Sequence, residues 1–277
     1  MKTVRTDMAS ELHDRFAGDL EGVEYSNEKL NGLSVVSVNI INDRGEELIG
    51  KPRGKYYTLR LPKLFDRGSS VFSDAVQTLA ELIERCAGKK HEHVLVAALG
   101  NPDITPDALG SLAAGNILVT RHLKRGGDET FQQFCSLSLC RPGVLGTSGI
   151  ESAEQVKLFC QNVKPKLVIV IDALAGAEAE NLCRNVQVSD AGISPGSGVG
   201  NDRKELSKKT LGVPVLSIGI PTVIDAGYFG ENQMKGMFVT PKDIDSLVRA
   251  GGRLIGYAVN VAMHNGISIA EIDSLLG

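Results

Sequence analysis

With 277 residues, 42% of them hydrophobic and 23% charged, the chain has an ordinary globular composition and is long enough for one large domain or two small ones. A net charge of -3 and a pI near 6.0 provide no basic face, which argues against nucleic-acid binding through phosphate neutralisation and leaves any such link indirect. The five cysteines are odd in number and contain no Cys-x-x-Cys pair, and several sit among apolar residues, as in Leu158-Phe159-Cys160. They read as reduced thiols of a cytosolic interior rather than as a disulfide frame or a zinc site.

The first residues, Met1-Lys2-Thr3-Val4-Arg5-Thr6-Asp7, hold no apolar run for a signal peptide, and no later stretch reaches membrane-spanning length without Gly, Pro or charge. The expectation is a cytoplasmic protein with no membrane contact. No internal repeat or low-complexity tract is visible, so one main domain with decorations is expected.

Leu33 to Ile41 alternates apolar and small polar residues around Val36, Val38 and Ile40, and Tyr56 to Leu61 does the same, which predicts an antiparallel strand pair at an edge. Ser70 can cap a helix whose apolar positions Val71, Phe72, Val76, Leu79, Leu82, Ile83 and Cys86 keep helical spacing up to Gly88. Apolar runs at His93–Leu99, Ile117–Val119, Leu167–Ile171 and Val213–Ile218, separated by helical patterns such as Ser152–Val163, predict an α/β fold with a mainly parallel sheet covered by helices on both faces. Pro241 to His264 is amphipathic but broken by Gly251-Gly252, and Ser268 to Leu276 adds a short last helix.

In such a fold chemistry collects beyond the carboxyl ends of the strands. The loop after Leu99 runs to Thr105-Pro106-Asp107, with Thr105 suited to an N-cap and Pro106 to the first helical position, leaving Asp107 in the first turn at the crevice. The helix dipole favours an Asp there on its own account. Asp172 is the first polar residue after Leu167-Val168-Ile169-Val170-Ile171. A carboxylate at the end of an apolar strand is desolvated and its proton affinity rises unless it is paired, although it could equally be a cap. Two carboxylates facing one crevice cannot both ionise easily, so one holds a proton while the other activates water, the division of labour that amide hydrolysis requires.

The glycine-rich segment Ser189 to Asn201 follows a strand at Val186–Val188 and matches neither the dinucleotide fingerprint nor the P-loop. It reads either as backbone lying close to a bound peptide or as a long turn. Gly146-Thr147-Ser148-Gly149-Ile150 lacks the spacing of a nucleophile elbow, and the five histidines lack zincin spacing. His91 and His93 flank a strand start, and His122, beside Arg121, is the histidine nearest a crevice loop.

Together the motifs Thr105-Pro106-Asp107-Ala108-Leu109-Gly110, Pro142 to Glu151, Ile171-Asp172-Ala173-Leu174-Ala175 and Pro195-Gly196-Ser197-Gly198-Val199-Gly200-Asn201 with Arg203-Lys204-Glu205-Leu206 resemble the germination protease family of spore-forming bacteria, in that family's order. The resemblance runs from about Thr6 to Ala226 and resumes near Val239-Thr240-Pro241-Lys242. It implies an atypical aspartic-type endopeptidase, related in fold to hydrogenase maturation proteases. It also implies degradation of small acid-soluble spore proteins at germination, synthesis as a zymogen, a homotetramer in the spore core, no cofactor and no metal. The catalytic pair carried over is Asp107 and Asp172.

Thr6-Asp7-Met8-Ala9-Ser10-Glu11 is similar to the family's own substrate site, which implies self-processing between Asp7 and Met8: a propeptide of residues 1–7 and a single α/β peptidase domain of residues 8–277. The bland alternative is that these residues only begin a helix. Substrate binding is assigned to Gly196 and Gly198, and to Arg121, His122 and Arg203 as basic neighbours for an acidic residue before the scissile bond.

The chain departs from the family pattern at Ser194, where a His is usual, at Gly176-Ala177, where an Arg is expected, and in a shorter stretch between Ala226 and Met237. Two rival readings remain. One is a metal-binding protease of the maturation type, for which carboxylates without a His make a poor nickel site; the other is a non-catalytic peptide-binding module of the same fold.

Overall fold

A computed structural model describes residues 5–16, 18–62, 70–88, 90–127, 129–200, 203–229, 234 and 236–276. The first four residues of the expected propeptide and Asn201 of the glycine-rich segment lie outside them. The strands are β1 Val23–Leu30, β2 Leu33–Ile40, β3 Gly54–Arg60, β4 His93–Ala98, β5 Ser136–Cys140, β6 Leu167–Gly176, β7 Asn185–Ser189, β8 Val215–Asp225 and β9 Phe238–Val239. The helices are α1 Ala9–His13, α2 Asp43–Ile49, α3 Ser70–Ala87, α4 Leu109–Ala114, α5 Arg121–Arg125, α6 Leu145–Ser148, α7 Ser152–Val163, α8 Lys208–Leu211, α9 Ile244–Met263 and α10 Ile269–Leu276.

Among the described residues nine strands form one sheet in the order β1-β2-β3-β7-β8-β6-β4-β5, with β9 pairing β8. The neighbours β5, β4, β6 and β8 are parallel. β7, β3, β2 and β1 extend the sheet antiparallel, so the extension is wider than the expected strand pair. Strand β1 escapes the alternation rule because it is a polar edge strand whose side chains are mostly exposed.

The run Ile117–Val119 is not a strand. Ile117 and Leu118 are buried in a loop whose backbone is held from α9: Leu118 N–H donates to Asn260 Oδ1 at 2.9 Å, and its carbonyl contacts His264 Nε2 at 3.0 Å. Three apolar residues are too few for their period to separate strand from buried loop.

Nor do Gly251 and Gly252 interrupt the tail, since α9 runs through them. A Cβ at Gly252 would lie 2.9 Å from both Ala113 N and Leu112 Cβ, and one at Gly256 would lie 2.5 Å from Asn116 Cβ. The glycines allow α9 to press directly onto α4, a gain in close packing that outweighs the roughly 1 kcal/mol helix cost of each Gly.

One sheet face packs wholly against helices, with Val35, Leu59, Val94, Val96, Ile169, Ile171 and Ile218 meeting residues of α3 and α9. The opposite face is divided. Leu95, Ala97, Val168 and Val170 pack beneath α7, whereas Val36, Val38, Ile40 and Tyr56 pack with Ala9 of α1 and Ile49 of α2. Side chains alternate along each strand, so the row continuing Val168 and Val170 is Asp172, which pairs with Gly219 of β8, which in turn pairs with Gln187 of β7. This polar row fills the interval between the two apolar clusters.

Candidate active site

Asp172 stands where β6 passes from its apolar run toward the crevice, and it is only 4% exposed. Its Oδ1 accepts the Ala173 N–H at 3.0 Å. Burial holds its carboxyl well above the ordinary carboxylate value; the neighbouring charges of Asp107 and then Asp7 push it the same way, and the Ala173 N–H only partly offsets them.

Asp107 comes from the loop after β4. The chain there forms a 3-10 turn, Thr105–Asp107, with Ile104 at the N-cap and no side-chain cap, so Thr105 is not the cap expected of it; α4 follows from Leu109. The loop instead folds back on itself: the Asn101 N–H donates to Asp107 Oδ2 at 2.7 Å. Burial raises the Asp107 carboxyl and this hydrogen bond lowers it. Asp107 and Asp172 line one cavity of about 610 Å³ with Leu99, Val144, Pro195 and Phe238, and the cavity offers room for a peptide segment. Of this pair, the more enclosed Asp172 is the better proton holder.

A third carboxylate enters from the N-terminal segment. Asp7 N–H donates to the Ala175 carbonyl at 2.8 Å, continuing the edge of β6, and Ala175 N–H returns a bond to Asp7 Oδ2 at 2.9 Å. Asp7 Oδ1 accepts from Ser197 Oγ at 2.8 Å and faces Lys51 Nζ at 3.5 Å. The next peptide is bracketed by one side chain: Gln187 Nε2 donates to the Asp7 carbonyl at 3.1 Å, and Gln187 Oε1 accepts the Ala9 N–H at 2.8 Å.

Met8 is fully buried and its backbone is extended, with φ of -85° and ψ of 115°; Asp7 before it forms a bend, and α1 begins at Ala9. Thr6 Oγ1 donates to buried Glu11 Oε2 at 2.6 Å, and Ala177 N–H donates to the same oxygen at 2.7 Å. These bonds tie both ends of the segment to the end of β6.

The glycine-rich segment lies against that visitor. A Cβ at Gly198 would stand 2.3 Å from Asp7 Oδ2 and 2.7 Å from Ala175 Cβ, so only Gly fits. Gly196, with φ of 76°, turns the chain into the 3-10 turn Ser197–Val199 and lines the same cavity. Arg203 also lines it, and its Nη1 is 3.9 Å from Glu151 Oε1.

Arg121 and His122, expected at the crevice, lie instead at the other end of the parallel strands. Thr120, immediately before α5, bonds both Cys135 O and Leu137 N at the start of β5, and Lys124 of α5 reaches Phe134 O. Sequence reasoning missed Lys51, Gln187 and Ser197. Lys51 is brought over from the loop after α2, and nothing in its local sequence marks it.

The model of one family, described as germination protease, matches residues 2–235. The chain belongs to the germination protease family. It is accordingly a peptidase, and its relatives cover it almost end to end. A germination protease of Caldanaerobacter subterraneus subsp. tengcongensis is 38% identical over 99% of this chain and 98% of its own length. One of Clostridium acetobutylicum is 34% identical over 99% of each, and one of Geobacillus sp. is 37% identical over 91% of this chain and 69% of its own. Among solved structures, the [NiFe] hydrogenase maturation protease HycI of Thermococcus kodakarensis aligns with 66% of this germination protease chain and 98% of its own, at 17% identity and a TM-score of 0.38.

Proposed function

We propose that this chain is the endopeptidase that degrades small acid-soluble spore proteins at germination, cutting after an acidic residue with the carboxyl pair Asp107 and Asp172. In this reading it is made as a zymogen whose residues 1–7 are removed by its own cleavage between Asp7 and Met8, leaving a single peptidase domain, and it works as a homotetramer in the spore core. The observation that carries the reading is the shared cavity: both carboxyls line it, one of them enclosed and proton-retaining, and Asp7, bonded to Ala175 of β6, lines it too.

The chemistry follows from that asymmetry. Asp107 as carboxylate removes a proton from a water whose oxygen bonds to the substrate carbonyl carbon, while Asp172 as acid gives its proton to the carbonyl oxygen. As the resulting diol collapses, the C–N bond breaks, the leaving nitrogen takes the proton held by Asp107, and one diol hydroxyl returns its proton to Asp172. The products are a free carboxyl and a free amine, and both side chains end as they began.

Peptides carrying an acidic residue followed by an apolar residue, Ala, Ser and Glu test the reading directly. Mass spectrometry of the fragments should place the cut immediately after the acidic residue; cuts elsewhere, or an intact peptide, would refute it.

A further inference from the structure

We propose that Lys51 and Ser197, with the Ala175 N–H, form the pocket that reads the acidic side chain before the scissile bond, a role that rests on taking Asp7–Met8 as a substrate-like peptide. The Asp7 carboxylate stands in for the substrate's acidic side chain. It is nearly enclosed, and each of its oxygens has a defined donor: Ser197 Oγ at 2.8 Å and Lys51 Nζ at 3.5 Å on one, Ala175 N–H at 2.9 Å on the other. Lys51 is itself mostly covered, its side chain 16% exposed against 13% for Asp7, so the pair meets with little solvent screening. Gly198 leaves the space through which the carboxylate passes. Gln187 fixes the peptide on either side of Met8, so the pocket and the cut bond are held in one register.

The test uses the processed chain beginning at Met8, whose pocket is no longer filled by Asp7, and four otherwise identical peptides with Glu, Asp, Gln or Lys before the cut, with kcat/KM measured for each. The unmutated protein should prefer both Glu and Asp to Gln. Lys51→Met should shrink the Glu-to-Gln ratio by roughly tenfold or more, the loss of one charge-assisted bond, and Ser197→Ala should shrink it less. Lys51→Glu should turn the preference toward the Lys peptide.

Equal losses on all four peptides, or ratios unchanged in Lys51→Met and Ser197→Ala, would overturn the pocket while leaving the endopeptidase reading intact. An unmutated protein that cuts none of the acidic peptides would overturn both. Melting curves identify any variant that fails to fold, and Lys51→Met and Ser197→Ala each decide the matter without the charge reversal.

Discussion

Asp172 and Gln187 stand in register across three strands with Gly219 alone between them. The missing side chain at Gly219 is a requirement, because a Cβ there would meet Leu174 Cγ at 2.6 Å and the Asp172 carbonyl at 2.7 Å. Gly219→Ala should destabilise the fold by about 1–3 kcal/mol and, by displacing Asp172, cost on the order of 100-fold in peptide cleavage. Thermal melts and kcat/KM on one preparation check both. Full activity with a normal melt would show that the row tolerates a side chain.

Stability should depend on pH through Asp172. Its folded carboxyl titrates well above its unfolded value of about 3.9, so between the two the native state keeps a proton that the unfolded state has lost. Its contribution is therefore complete below about pH 4 and drains away as the pH rises through the folded value. Asp172→Asn carries no such proton, and its melting temperature minus that of the unmutated protein should grow across that window. A difference that stays flat with pH would mean that Asp172 is ionised in the fold.

Activity should follow a bell-shaped pH profile, since the working state holds one proton on the pair. The acid limb reflects protonation of Asp107, and burial should place it above the ordinary carboxylate range. The alkaline limb marks the loss of the Asp172 proton. A profile rising to a plateau with no alkaline limb would point to a single working carboxyl.

Self-processing should leave Met8 as the new N-terminus, read by N-terminal sequencing. Met8 and Ala9 are buried and Glu11 is tied to Ala177, so the residues after the cut stay docked when those before it leave. Asp172→Asn should keep its original N-terminus under the same conditions. Trimming at another bond, or undiminished trimming in that variant, would contradict the assignment.

That both carboxyls reach one crevice was legible in the sequence: Asp172 is the first polar residue of an apolar strand, and Asp107 lies in the loop that leaves the carboxyl end of another. The helices α3 and α7 and the strands β2, β3, β4, β6 and β8 were legible from their periodicity. What escaped depends on tertiary contact. The loop Ile117–Val119 is apolar like a strand, but its backbone bonds go to Asn260 and His264, some 140 residues away in sequence. Arg121 and His122 are basic and adjacent to that loop, yet the topology carries them to the amino end of the sheet. Lys51 and Gln187 show no local sign because their meaning lies in the distant Asp7 that they hold.

A chelator should leave cleavage unchanged, because the described residues that line the cavity include neither histidine nor cysteine to join the carboxylates in holding a transition metal. Loss of activity restored by a divalent cation would favour the metal-binding alternative.

The most direct measurement compares the unmutated protein with Asp107→Asn and Asp172→Asn on one acidic-site peptide, with circular dichroism confirming the fold of each. The shared-proton account requires each variant to remain folded and to lose cleavage by about 10²–10⁴-fold or more. A folded variant of either kind that cuts at the rate of the unmutated protein would contradict it.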